Sequence, residues 1–408
     1  MLAGKTIVLG VTGSIAAYKI ASLASMLVKQ HASVHVIMTK NATNFINPIT
    51  FETLTSHKCL VDTFDREFEF KVEHVSLAKQ ADLMMIAPAS ANVIGKLAHG
   101  IADDMLTTTA LACKAPIYVA PAMNTNMYEN PIVQDNLRTL AHYGMHIIDP
   151  ADGHLACGDS GVGKMPEPET LFSYIEAALG HQKDLVGKRI LVSAGATREA
   201  IDPVRFLTNH STGKMGYAIA KAAMMRGASV TLVSGVTDLT PPLFTEVVPI
   251  VSAQDMYEAL DARFDTADAL IMAAAVADYR PRSFVDHKIK KMNGELSLDL
   301  ERTTDIIGTL AARKAPGQFV CGFSMETEHL LENSAAKLEK KKLDMIVAND
   351  LRTAGAGFGT ETNVVTLLSA DGQRALPICS KLEVAHQILD VIASAIIRRK
   401  ISYETRII

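Results

Sequence analysis

Lys5-Thr6-Ile7-Val8-Leu9-Gly10-Val11-Thr12-Gly13-Ser14 is a β-branched apolar run that ends in a glycine turn, and a helical pattern follows over residues 14–29. Strand, glycine turn and helix in that order begin an open α/β sheet. Residues 33–39, 81–87 and 116–120 repeat the continuous apolar signature of parallel strands buried on both faces. The pattern restarts after the polar stretch His181-Gln182-Lys183-Asp184, where Arg189-Ile190-Leu191-Val192-Ser193-Ala194-Gly195 reads as a new first strand. Residues 229–234, 269–274, 345–348 and 363–368 continue it as strands, with helices over 216–226, 254–263 and 334–342. The predicted fold is α/β, two Rossmann-like doubly wound parallel-sheet domains, residues 1–184 and 185–408. The two openings resemble one another in architecture, without a residue-level repeat.

At 408 residues the chain exceeds one ordinary core, and its 48% hydrophobic and 21% charged residues are those of a folded globular protein. A net charge of −4 leaves no basic footprint for a phosphate backbone, so nucleic acid is excluded as a partner. Cys59, Cys113, Cys157, Cys321 and Cys379 have no CxxC spacing, which excludes a zinc ribbon or disulfide framework and fits a reducing cytosol. The first residues enter a strand without a signal-peptide pattern, and no apolar run reaches membrane-spanning length. A cytoplasmic protein with no membrane partner is expected.

Gly10-x-x-Gly13-x-x-Ala16 can bring backbone N–H groups onto a phosphate, and equally it is a tight turn that needs small residues. A dinucleotide site would place an acid at the end of the second strand. Here that position reads Met38-Thr39-Lys40, and in the second half Val233-Ser234-Gly235, so a mononucleotide phosphate is preferred to NAD in both halves. Ser211-Thr212-Gly213-Lys214 looks like the tail of a P-loop, but Thr208 stands where its first glycine belongs, and no strand runs into it.

Four segments leave the realm of generic α/β sequence: 12–19 (Thr-Gly-Ser-Ile-Ala-Ala-Tyr-Lys), Pro88-Ala89-Ser90-Ala91-Asn92, Pro121-Ala122-Met123-Asn124 and Ala156-Cys157-Gly158-Asp159. Together they resemble the flavin-containing cysteine decarboxylases, which implies a flavodoxin-like flavoprotein domain. The resemblance implies FMN, with Gly13 and Ser14 at its phosphate, Thr39 at the second strand end, and Ser90, Ala91 and Asn92 lining it. It also implies His74, Asn124 and Cys157 as catalytic residues. Loss of carbon dioxide from a cysteine-derived carboxylate leaves a carbanion that needs an electron sink, which flavin oxidation of the neighbouring thiol provides. In that scheme His74 handles proton transfer, Asn124 holds the carboxylate and Cys157 delivers a proton from a glycine-rich closing loop. The family usually has Arg where Lys164 stands.

The second half carries Arg198-Glu199-Ala200-Ile201-Asp202-Pro203-Val204-Arg205, Asn209-His210-Ser211-Thr212-Gly213-Lys214, Ala274-Ala275-Val276-Ala277-Asp278-Tyr279 and Lys288-Ile289-Lys290-Lys291. These resemble the phosphopantothenate–cysteine ligases, and with the first half they point to a fused bifunctional enzyme. Amide formation in water is uphill, so the carboxylate must be activated. The resemblance implies CTP with Mg2+, an acyl-cytidylate, and displacement of CMP by the amine of cysteine. It assigns Asn209 and Lys288 to catalysis, and Asp278, Lys288, Thr303, Thr304, Asp305, Ile306, Phe323, Lys337 and Lys341 to the nucleotide, leaving the protein's metal ligands unassigned. Lys337 and Lys341 are four apart on a predicted helix and share a face, which for an isolated lysine run is equally a solvated surface. Asp278 is equally a helix cap.

Sequential chemistry is therefore expected: ligation of cysteine to 4′-phosphopantothenate, then decarboxylation to 4′-phosphopantetheine. The resemblance further implies a trimer-based homo-oligomer, up to a dodecamer. The rival readings are a peptide-cysteine decarboxylase with a degenerate ligase domain, and a non-catalytic flavin-binding regulatory subunit.

Overall fold

The structure, a computed structural model, describes residues 2–63, 73–156, 158–290, 297–326, 328–350, 357 and 359–404. It divides into two compact units, Met1–His181 and Gln182–Ile408.

In the first unit β1 (Thr6–Val11) runs into a 3-10 turn at Ile15–Tyr18 and then α1 (Lys19–Lys29), so the helix expected over 14–29 is divided. The cause is Ser14, extended in backbone, whose hydroxyl caps the tight turn by accepting the Ala16 N–H at 3.4 Å. The chain continues through β2 (Ser33–Met38), α2 (Pro48–Thr55), α3 (Glu73–Gln80), β3 (Leu83–Ala89), α4 (Ala91–Ala98) and α5 (Met105–Ala112). Then come β4 (Ile117–Pro121), α6 (Thr125–Tyr128), α7 (Pro131–His142) and β5 (His146–Ile147). An antiparallel hairpin of β6 (Ala151–His154) and β7 (Ser160–Lys164) precedes α8 (Pro168–Leu179).

The main strands pair in parallel in the order β2-β1-β3-β4-β5, the flavodoxin-like arrangement, with its switch point between β1 and β3. Alternate residues of β1 feed opposite cores: Ile7, Leu9 and Val11 pack with α1 and α8 through Leu23 and Leu171, whereas Val8 packs with Ile86, Leu106 and Val119. A central strand covered on both faces must be apolar throughout, and every residue of β3 is buried. Each fully buried Leu, Ile, Val or Met contributes about 1.5–3 kcal/mol.

The second unit begins with β8 (Arg189–Ala194), a small hairpin of β9 (Arg198–Ala200) and β10 (Phe206–Thr208), and α9 (Lys214–Met225). It goes on through β11 (Ser229–Ser234), β12 (Thr245–Pro249), α10 (Ala253–Phe264), β13 (Ala269–Met272), β14 (Tyr279–Pro281) and β15 (Leu300–Arg302). Next are α11 (Ile306–Ala312), β16 (Phe319–Met325), α12 (Leu330–Lys340) and β17 (Met345–Asn349). The chain closes with β18 (Thr362–Asn363), β19 (Val365–Ser369), β20 (Gly372–Ala375), β21 (Cys379–Ser380) and α13 (Lys381–Glu404).

From β12 to β17 the order β12-β11-β8-β13-β16-β17 is parallel and follows the doubly wound Rossmann sequence, and β19 and β20 extend it antiparallel. Strand β16 is absent from the expected set. Helix α9 lies close on β8 because Gly216 faces it: a Cβ there would stand 2.5 Å from the Cβ of Ala194. Arg226, at the end of α9, is 1% exposed, and its guanidinium is shared by Asp184, Asp390 and the carbonyl of His386. Asp184 thus belongs to the second unit. Among the described residues no helix is long and apolar enough to cross a membrane.

Candidate active sites

In the first unit the loops that follow β1, β3 and β4 meet above the switch point, and Thr12 ties two of them together. Its buried hydroxyl donates to the Pro88 carbonyl at 2.6 Å and accepts the Ser90 N–H at 2.9 Å. Below the hairpin of β6 and β7 these loops enclose a cavity of about 730 Å³, lined by Gly13, Ser14, Ser90, Ala91, Asn124 and Ala156 among others. That volume suits a cofactor-sized ligand.

The hairpin is seated by two glycines. Gly163 approaches so closely that a Cβ would lie 2.4 Å from the Met123 carbonyl, to which its backbone is joined by the Met123 N–H donating to the Gly163 carbonyl at 3.1 Å. At Gly161 a Cβ would meet the Thr125 hydroxyl at 2.8 Å. Asn124 links the floor to the hairpin tip: its Oδ1 caps α6 by accepting the Asn126 N–H, and its Nδ2 donates to Asp159, both at 2.9 Å. The stretch expected to be a glycine-rich loop therefore has a β-strand in its second half. Cys157 lies outside the described residues, between Ala156, which lines the cavity, and Gly158.

Thr39 is 8% exposed and is not part of the cavity lining, and its hydroxyl has no hydrogen-bond partner among the described residues. Its own N–H is tied to the Val11 carbonyl at 2.9 Å, beside the glycine turn. Asn92, on the first turn of α4, and His74, on the first turn of α3, are not part of the cavity lining. Lys19, Lys164 and Glu167 are part of it and are missing from the expected site. Both carboxylate oxygens of Glu167 accept from Lys19 at 2.8 Å, with Lys164 at 3.4 Å. The hydrogen bond from Lys19, with that of Lys164, outweighs burial and holds the Glu167 carboxyl below the usual range. No spacing rule joins residues 148 apart in the chain.

In the second unit a cavity of about 480 Å³ opens at the ends of β13 and β16. Asp278, Thr303, Thr304, Asp305, Ile306, Phe323 and Lys341 all line it, together with Tyr279 and Arg302. Thr303 fixes its floor: its N–H donates to the Asp278 carbonyl at 3.0 Å and its hydroxyl to the Ala277 carbonyl at 2.6 Å. Asp305 caps α11 by accepting the Gly308 N–H at 3.2 Å, and the same oxygen takes the Lys341 ammonium at 2.8 Å. Asp278 is not a helix cap; it is exposed at the entry to β14. Lys337 is paired with Glu326 and stands outside the lining, and α12 ends at Lys340, so Lys341 is its C-cap rather than a residue of the same helix.

Asn209 and Lys288 are exposed and also outside this lining. The side-chain amide of Asn209 donates to the Ala275 carbonyl at 3.3 Å, on the loop that leads to Asp278. Lys214 is separated from β8 by the β9–β10 hairpin and binds Glu361 and the Gly359 carbonyl, so the P-loop comparison fails in structure as in sequence. A further cavity of about 600 Å³, beside the ends of β11 and β12, holds none of the expected residues. Among the described residues no group of three or more His, Cys, Asp or Glu is placed to hold a metal.

Two family models match the chain: Flavoprotein over residues 1–180, and DNA/pantothenate metabolism flavoprotein C-terminal domain over residues 185–396. The chain is 48% identical over 398 residues to the coenzyme A biosynthesis bifunctional protein CoaBC of Bacillus subtilis, covering 97% of this chain and 98% of that one. It is 45% identical over 391 residues to the protein of the same name from Vibrio parahaemolyticus, covering 95% and 98%. Among solved structures, the C-terminal domain of a coenzyme A biosynthesis bifunctional protein CoaBC matches with a TM-score of 0.45 and 46% identity. That match covers 52% of this chain and 97% of the other.

Proposed function

Because the chain belongs to the family of bifunctional coenzyme A biosynthesis proteins, we propose that its second unit ligates cysteine to 4′-phosphopantothenate with CTP, and that its first unit decarboxylates the product to 4′-phosphopantetheine. The protein is a flavoprotein and an enzyme, with decarboxylase and ligase activities in coenzyme A biosynthesis. Our proposal adds FMN as the flavin, CTP with Mg2+ as the activating nucleotide, a cytoplasmic location, a trimer-based homo-oligomer, and the roles of individual residues.

The observation that carries the decarboxylase reading is the convergence of Gly13, Ser14, Ser90, Ala91 and Asn124 on one cavity of about 730 Å³ at the sheet's switch point. FMN would supply a two-electron acceptor for the substrate thiol, whose oxidised, thioaldehyde form is the electron sink for decarboxylation and is reduced back afterwards. Gly13 would meet its phosphate with its backbone N–H and Ser14 with its hydroxyl, since the Ser14 N–H is held by the Thr12 carbonyl at 2.8 Å. The Asn124 amide, already hydrogen-bonded at both ends, is pre-oriented to bind a carboxylate with little reorganisation. Cys157, by the family resemblance, would return a proton to the product, and the hairpin of β6 and β7 would exclude water. His74 would act as the proton acceptor for the thiol.

For the ligase, Phe323 and Ile306 would pack on the base while Asp278 and the Thr303–Thr304 backbone read its polar edge. Lys341, Lys337 and Lys288 would neutralise the triphosphate and the charge that gathers as pyrophosphate leaves, and Mg2+ would supply further positive charge there. Asn209 would hold the acyl-cytidylate for attack by the amine. Neither rival reading is favoured by any feature of either unit.

The test follows pyrophosphate and carbon dioxide in parallel from CTP, phosphopantothenate and cysteine. Cys157→Ser should abolish carbon dioxide release and leave pyrophosphate release intact, and Lys288→Gln should abolish pyrophosphate release while supplied phosphopantothenoylcysteine is still decarboxylated. Retention of both half-reactions in both variants would overturn the residue assignments.

A further inference from the structure

Asp202 has no part in the chemistry above, yet it is among the most completely coordinated carboxylates of the second unit. It sits in the turn between β9 and β10, only 2% exposed. Its Oδ1 accepts the N–H groups of Val204 and Arg205, both at 2.8 Å. Its Oδ2 accepts Nε of Arg205 at 2.9 Å, a second guanidinium nitrogen of Arg205, and the N–H of Ile289 at 3.2 Å. Arg205 then reaches on to the Ile289 carbonyl at 3.0 Å. Both backbone polar groups of Ile289 are therefore held by one ion pair 84 to 87 residues away in the chain.

Ile289 is the neighbour of Lys288, and residues 284–290 have no regular secondary structure of their own apart from bends. A lysine on a loop without ladder hydrogen bonds has a four-carbon stem and an unfixed base, and loses much entropy on reaching one position. Fixing the backbone one residue away removes the backbone share of that freedom before substrate arrives. The clamp has the chemistry for it: charge-assisted bonds in a fork geometry, on a desolvated carboxylate whose acceptor sites are filled. The hydrogen bonds from Arg205 hold the Asp202 carboxyl far below the usual range, so the clamp stays charged wherever the enzyme works.

We propose that Asp202 is a positioning residue of the ligase reaction, which with Arg205 clamps Ile289 and so presents Lys288 to the reacting carboxylate and nucleotide. This deepens the reading of Lys288 given above and rests on it. Asp202→Asn preserves shape but puts an amide where the guanidinium and the Ile289 N–H both need an acceptor. Misplacement of the lysine by an ångström is expected to cost about a hundredfold.

The experiment uses the full chain with flavin bound and compares Asp202→Asn, Arg205→Lys, the double variant and Lys288→Gln. Expected is a fall of ten- to a hundredfold in the kcat of pyrophosphate release for Asp202→Asn, with KM for CTP within about twofold and decarboxylation of supplied phosphopantothenoylcysteine unchanged. Arg205→Lys should fall likewise, and the double variant no further than the worse single, because both act through one clamp. An inactive Lys288→Gln beside a wild-type rate for Asp202→Asn overturns the clamp, as do additive losses in the double variant. A fully active Lys288→Gln instead overturns the underlying role of that lysine. If Asp202→Asn fails to bind CTP in calorimetry, Arg205→Lys, which keeps the ion pair, decides: normal kcat there refutes the proposal.

Discussion

Asp82 and Asp268 hold matching places at the N-terminal edges of the two sheets. The carboxylate of Asp82 takes the Lys5 ammonium at 3.0 Å and the Thr6 N–H at 2.8 Å, and that of Asp268 takes Lys188 at 3.1 Å and the Arg189 N–H at 2.8 Å. The surrounding backbone repeats as well. Gly4 and Gly187 are left-handed at φ 76° and 74°, and the N–H groups of Ser33 and Ser229 donate to the carbonyls of Lys5 and Lys188, both at 2.8 Å. A likeness of architecture alone, expected from the two openings, is thereby corrected. Leu2-Ala3-Gly4-Lys5 matches Leu185-Val186-Gly187-Lys188, Ala32-Ser33-Val34 matches Ala228-Ser229-Val230, and Ala81-Asp82 matches Ala267-Asp268.

Replacing either aspartate with Asn should lower the stability of the unit that carries it by about 1–2 kcal/mol, as expected for loss of a charge-assisted bond to backbone. For Asp82, burial pushes the carboxyl up, but the Thr6 N–H and the Lys5 ammonium outweigh it and hold the group below its ordinary range. Its stabilising contribution is thus present above the unfolded value of about 3.9 and is lost as pH falls through the folded value. Urea unfolding at pH 7 should separate Asp82→Asn from wild type, and the gap should close in strong acid.

Gly163→Ala should detach the hairpin from the decarboxylase pocket. The site combines a left-handed φ of 139° with only 2.4 Å between the added Cβ and the Met123 carbonyl, so the strand must move. Carbon dioxide release is expected to fall by more than about tenfold with pyrophosphate release unchanged. Equal rates in both assays would mean that the hairpin has no role in the reaction.

Thr12→Val keeps the volume of the side chain and removes the bridge between the first two pocket loops. The Ser90 N–H and the Pro88 carbonyl lose a buried partner, at a cost of about 1–3 kcal/mol. Flavin retention should weaken by about tenfold or more, read from absorbance after dialysis.

His35 gives the first unit a pH dependence of its own. Burial, with the positive charge of His57 whose ring lies 4.1 Å away, lowers its pKa from 6.5 to about 4. The neutral imidazole is therefore the form that fits the fold, so its contribution is full above pH 6.5 and is lost as pH falls toward 4. With solvent screening the change between pH 7 and 5 should be about 1 kcal/mol, and His35→Phe should flatten it in urea melts followed by flavin release.

The parallel sheets were legible because strands buried on both faces must read as unbroken apolar runs. Strand β16 carries the same signal in Phe319-Val320-Cys321-Gly322, but a glycine in mid-strand obscured it; Gly322 is where a Cβ would come within 2.8 Å of Ile307. Ser90 and Asn124, which follow the ends of β3 and β4, stand where an open sheet brings strand ends together, whereas Phe323, inside the unexpected β16, was given by resemblance alone. Lys19 and Glu167, and Asp202 and Ile289, were not, since each pair is made by tertiary packing that leaves no periodic trace. His74 and Lys288 rest on resemblance, and neither joins the cavity beside it.

The sunken guanidinium of Arg226 makes the last helix something other than a dispensable tail. A premature stop upstream of Asp390 would leave a buried cation with one of its two carboxylate partners gone. Such a truncation should be cleared by cellular proteases before its catalytic competence is ever tried, so a genetic loss there reports on quality control rather than on chemistry.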